Sequence, residues 1–109
     1  MSDWVNVAVV PPFGPESIRL ALDDARIEIL RQDRLAREGK FGGTHIMPGG
    51  TDLERLAVLA EEMGEVSIEV CKGIELAGQV RRPGLREELI QVAAVALAWV
   101  AAIDEGRGV

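Results

Sequence analysis

Apolar positions return at helical spacing along three stretches of the chain. From Glu16 onward, Ile18, Ala21, Leu22, Ala25, Ile29 and Ala36 recur every three or four residues or their multiples, with Arg, Asp and Glu on the opposite side, which predicts a helix from about Pro15 to Glu38. A second set, Leu53, Leu56, Leu59, Ala60, Met63, Val66, Val70 and Ile74, predicts a helix over about Asp52 to Leu76. Its apolar face is expected to pack and its acidic face to stay open to ligands. Thr51 followed by Glu54 reads as a capping box at its start. The third helix, about Leu85 to Asp104, is different: between Leu89 and Ile103 the only polar side chain is Gln91. A helix apolar on every side must be surrounded by others, and three helices do not easily surround one of their own number. The expected fold is therefore an all-α antiparallel helical bundle completed by homo-oligomerisation, most simply as a dimer.

Breakers divide the rest. Valine-rich residues from Asp3 to Val10 end at Pro11, Pro12, Gly14 and Pro15, so residues 1–14 are expected as an extended arm, 15–105 as one domain and 106–109 as a flexible tail. Residues 39–50 hold five glycines and one proline and read as a flexible connection, and Gly78 with the segment RRPG, Arg81 to Gly84, separates the second and third helices. The stretch FGGTH lacks the Gly-Lys-Ser/Thr of a Walker phosphate loop.

Composition narrows the function classes. At 109 residues, 48% hydrophobic and 28% charged, the chain has the size and balance of one soluble domain. A net charge of −6 argues against a nucleic-acid polymer as partner, which needs clustered Lys and Arg, while a free nucleotide held through a metal stays compatible. Cys71 is the only cysteine, so neither an intrachain disulfide nor a cysteine zinc site can form; it is expected as a small buried hydrophobe on the apolar side of the second helix. No signal-peptide pattern opens the sequence, and the apolar run Leu89 to Ile103 is shorter than the roughly 20 residues a membrane span needs, so a cytoplasmic location without membrane contact is expected.

The candidate chemistry lies in EEMGEV, Glu61 to Val66. At about 100° per residue, Glu61, Glu65 and Glu69 share one band of the helix and Glu62 lies beside it. Like charges three and four residues apart cost a few tenths of a kcal/mol per pair, which a divalent cation would offset. Near the start of the third helix, Glu87 and Glu88 precede Gln91, which shares a face with Glu88. Two such sets on neighbouring helices can close around Mg²⁺, which takes oxygen ligands and leaves room for water and phosphate.

The spacing Glu62-x-x-Glu65, then 22 residues, then Glu88-x-x-Gln91 resembles the ExxE…ExxD signature of the MazG-like all-α nucleoside triphosphate pyrophosphohydrolases. The stretch LREELIQVAAVALAWVAAID is similar to small phage and bacterial members of that group. The likeness covers about Asp52 to Asp104, and more weakly Arg31 to Met47. It implies an oligomeric helical bundle that binds Mg²⁺, or Mn²⁺, and cleaves an NTP or dNTP to NMP and pyrophosphate. Glu62, Glu65 and Glu88 would be metal ligands, with Gln91 in the place of the motif aspartate. Glu61 matches the extra acid that often precedes them, and Glu61 or Glu62 would orient the attacking water and accept its proton. Glutamine brings no negative charge and cannot act as a base, so the competing expectation is a weakened or inactive nucleotide- and metal-binding or protein-interaction module.

Plainer readings stand beside these. Acidic stripes are usually solvated faces, which leaves a purely structural oligomer as a third class. Lys40, His45, Arg81 and Arg82 are candidate substrate contacts, with Lys72 and Arg86 as further positive charges, although each alone is an ordinary surface residue. Trp99 is expected in the core or an interface, with stacking on a base as the lesser alternative.

Overall fold

A computed structural model describes residues 14–39, 50–75 and 83–106, and every regular element among them is helical. Helix α1 spans Pro15–Arg37, α2 spans Asp52–Glu75 and α3 spans Pro83–Asp104. The ends follow local chemistry. Pro15 occupies the first turn of α1, where a missing N–H costs nothing, and Arg34 and Arg37 sit in the last turn against the negative end of the helix dipole. Gly39, at φ 73°, takes the left-handed conformation just beyond it and donates to Ala36 O at 3.1 Å. At the start of α2 the capping box forms reciprocally: Glu54 N–H donates to Thr51 Oγ1 at 3.2 Å, and Thr51 N–H donates to Glu54 Oε1 at 3.1 Å. Helix α3 begins two residues earlier than its apolar pattern predicts, because Pro83 of the RRPG segment serves as a first helical residue.

Helix α3 is the centre of the arrangement. Helices α1 and α2 each pack against it and not against one another. Both run antiparallel to it. On the α2 side, Trp99 Nε1 donates to Asp52 Oδ1 at 2.8 Å at one end, and Gly84 lies against Glu69 at the other. On the α1 side, Arg86 pairs with Asp24 at 2.7 Å, while Ile18 and Leu97 line one groove near the opposite end. The core forms where the three helices meet, with Val95 and Ala98 of α3 packed by Ile29 of α1 and Val58 and Leu59 of α2. Alanines at 25, 94 and 102 are buried around it and allow close helix approach.

Two expectations change here. The apolar face of α2 packs only in part: Leu59 and Val66 turn inward, whereas Leu53, Leu56, Met63 and Val70 are exposed, and Arg55 and Glu62 share the inward side. Cys71 is exposed rather than buried. Helix α3 is covered in part by α1 and α2, with Leu89, Leu97, Val100 and Ile103 exposed, as expected of a protomer whose own helices do not surround it. No described helix is long and apolar enough to cross a membrane. Residues 1–13, and with them the expected N-terminal arm, lie outside the described residues, as do 107–109.

Candidate metal centre

The antiparallel packing of α2 on α3 brings the two halves of the acidic motif together. One carboxylate oxygen from each of Glu62, Glu65 and Glu88 lies within 4.8 Å of the other two. The juxtaposition follows from the close approach one turn away, where a Cβ on Gly84 would sit 2.9 Å from Glu69 Oε2. Glu62 and Glu88 are half-buried, and Glu65 faces solvent. Gln91, with its amide nitrogen turned toward the carboxylates, donates to Glu62 Oε2 at 2.9 Å and to Glu88 Oε2 at 3.1 Å.

Crowded carboxylates resist ionisation. Burial, a hydrogen bond with Glu65 and the charges of Glu65, Glu62 and Glu87 together push the Glu88 carboxyl up to about 7. Glu62 is also raised, by burial first and then by the charges of Glu65, Glu61 and Glu28, with Arg31 opposing. Protons, or a cation in their place, hold this cluster together.

Helix α1 supplies groups that the acidic motif does not reveal. Arg31 donates to both oxygens of Glu28, at 2.9 and 2.6 Å, and Gln32 Nε2 donates to Glu28 Oε2 at 2.6 Å. Burial alone would raise Glu28, but the bonds from Arg31 and Gln32 outweigh it and hold the carboxyl below its usual range. The Arg31 guanidinium is raised chiefly by that bond to Glu28 and further by the charges of Glu28, Glu87 and Glu62, so its positive charge is felt by two acids of the α2 and α3 motifs. Glu28 and Glu87 also line a cavity of about 300 Å³ between α1 and α3, together with Asp24, Ile27, Arg86 and Ile90. The signal for α1 was present in its periodicity: Ile18, Ala21 and Ala25 continue at the same spacing into Glu28 and Gln32, two polar residues in a packing seam.

The remaining candidates fall elsewhere. Glu61 is exposed beside Glu62 and makes itself felt there only as charge. Glu69 pairs with Lys72 at 3.2 Å, and Arg86 pairs with Asp24, so neither cation stands at the cluster unengaged. Trp99 is partly buried with its ring nitrogen committed to Asp52. Lys40, His45, Arg81 and Arg82 lie outside the described residues.

The donor set suits a hard divalent cation. Mg²⁺ takes ligands at 2.0–2.1 Å, so neighbouring oxygens around it stand about 2.9 Å apart and opposite ones about 4.2 Å; the three carboxylate oxygens, within 4.8 Å of one another, would draw closer around such an ion. The described residues define an all-helical protein in which three carboxylates from two helices converge. No protein-family model, curated protein or solved structure matches the chain. The MazG-like resemblance therefore rests on the motif residues alone.

Proposed function

We propose that the protein is a Mg²⁺-dependent nucleoside triphosphate pyrophosphohydrolase, adding water across the α–β anhydride of an NTP or dNTP to give NMP and pyrophosphate. The observation that carries this is the convergence of Glu62, Glu65 and Glu88 from two antiparallel helices, with Gln91 in contact with two of them. A divalent ion bound there would neutralise phosphate charge and lower the pKa of water. The chain's own groups supply the rest. Glu62, Glu65 and Glu88 provide the negative charge that retains the ion. Glu61, exposed next to Glu62 and bonded to no cation among the interactions described, would accept a proton from the attacking water, with Glu62 as the other candidate. Arg31 contributes positive charge at the rim, where a triphosphate would need it. The one exposed thiol suits a reducing cytoplasm.

A specific observation favours a second function. The double donation from Gln91 satisfies Glu62 and Glu88 without an ion, as expected of a site that binds nucleotide or metal but no longer turns over. Pyrophosphate release from a panel of ribo- and deoxynucleoside triphosphates, with Mg²⁺ or Mn²⁺, separates the two. Turnover lost in Glu65→Gln supports the hydrolase. Silence in the wild type with turnover in Gln91→Asp supports the binding module, and silence in both removes the enzyme altogether.

A further inference from the structure

The groove lined in part by Ile18 and Leu97 runs between residues 17–25 of α1 and 90–97 of α3 and has a volume of about 350 Å³. Of the side chains that line it only Ser17 is polar, and none is charged. The large ones stand out: Ile18, Leu22 and Leu97 are 41%, 57% and 42% exposed. The alanines at 21, 25 and 93 are half-buried or buried, so apolar walls rise over a floor of small residues. Apolar surface in such a concave run gains free energy only when something other than water covers it.

The sequence supplies a cover at the groove's own end. Gly14 leads directly into α1, and the groove begins at Ser17, within the first turn of that helix. The 13 residues that precede Gly14 contain one charged side chain, Asp3, and place Val5, Val7 and Val9 at the alternating spacing that puts side chains on one face of an extended chain. The lengths agree. From Ser17 to Ala25 a helix rises about 12 Å, and from Val5 to Val9 an extended chain covers about 13 Å. Between the valines and α1 fall Pro11, Pro12 and Gly14, turn-forming residues where the chain would have to reverse. The five steps from Val10 to Pro15 reach up to about 17 Å, enough to cross the roughly 10 Å width of a helix.

We propose that residues 5–9 of the chain seat in this groove, running back along α1 with Val5, Val7 and Val9 set between Ile18, Leu22 and Leu97. Tethering favours the chain's own segment over a second copy or an unrelated apolar ligand. A linker of a few residues holds it at an effective concentration in the millimolar range, which competitors at micromolar concentration do not match. Val5, Val7 and Val9 meeting an uncharged wall also leave no charge to be stripped of water. Helix α1 packs on α3 and not on α2, so the seated segment would act as a strap across the α1–α3 seam. It would thereby steady the helix that carries Glu28, Arg31 and Gln32. The proposal depends on neither the metal centre nor the reaction.

Nuclear Overhauser contacts in the methyl-labelled full chain test it. Contacts from the methyl groups of Val5, Val7 or Val9 to those of Ile18, Ala21, Leu22 or Leu97 are expected, and their absence overturns the proposal. A mixture of isotope-labelled and unlabelled copies then identifies the source. Contacts within one chain are expected; contacts found only between copies give the groove to a second copy and overturn the proposal. Hydrogen exchange measures the strap's effect through two variants that each add one negative charge outside the helices. Val7→Asp should speed exchange across residues 18–25 on the order of tenfold. Asn6→Asp, at a position that alternates with the valines, should leave exchange unchanged. Equal acceleration by both variants, or none by Val7→Asp, also overturns the proposal.

Discussion

At the scale of single residues, the tension in this protein is between Gln91 and Glu88. Gln91 supplies amide hydrogens to two carboxylates that would otherwise repel, while Glu88 is pushed up to about 7 and shares its hydrogen bond with Glu65. Replacing Gln91 by aspartate should tighten Mn²⁺ binding about tenfold or more, because it exchanges a neutral donor for a fourth charge, and titration calorimetry reads this directly. The metal-free Gln91→Asp variant should be less stable than wild type at pH 8. The pH dependence follows from Glu88: its folded-state pKa lies above the ordinary value of 4.5, so the stability it contributes is full below that value and is lost as pH rises through about 7. Thermal unfolding in chelator should thus fall between pH 5 and pH 8, and saturating Mg²⁺ should restore the loss at pH 8. In Glu88→Gln the slope should flatten. Glu28 works in the opposite direction, since its lowered carboxyl contributes stability above the ordinary range that disappears only as pH falls below it.

At the scale of elements, the helices were legible because their signals are local. The capping box of Thr51 and Glu54, Pro15 at the head of α1 and the heptad-like returns of leucine and valine act within a few residues of one another. Thr51→Ala should cost about 1 kcal/mol of stability in denaturant titration, and leave the oligomeric state unchanged. The acidic motif was legible for the same reason, being two short spacings on two strong helices. What escaped was which face of each helix turns inward. The apolar face of α2 looked like its packing face, yet of its members Leu59 and Val66 turn inward, beside Glu62, while Leu53 and Leu56 face outward. Periodicity shows that a face is apolar without saying what covers it. Glu28, Arg31 and Gln32 bond to one another at ordinary i,i+3 and i,i+4 spacing, but they were missed as site residues because their approach to the cluster depends on how α1 crosses α3, which no local rule encodes.

At the scale of the whole molecule, two surfaces share the central helix. One carries the crowded carboxylates Glu62, Glu65 and Glu88, which need positive charge; the other is apolar, with Leu89, Val100 and Ile103 exposed. Placing the carboxylates on α2 and α3 keeps their geometry on regular helices rather than loops. The central claim is that Glu62, Glu65 and Glu88 hold a divalent cation. Electron paramagnetic resonance titration of Mn²⁺ into wild type, Glu88→Gln and the remote control Glu16→Gln tests it most directly. Saturable binding that Glu88→Gln abolishes and Glu16→Gln preserves is the expected result; binding that is absent from wild type, or equally strong in Glu88→Gln, would contradict it.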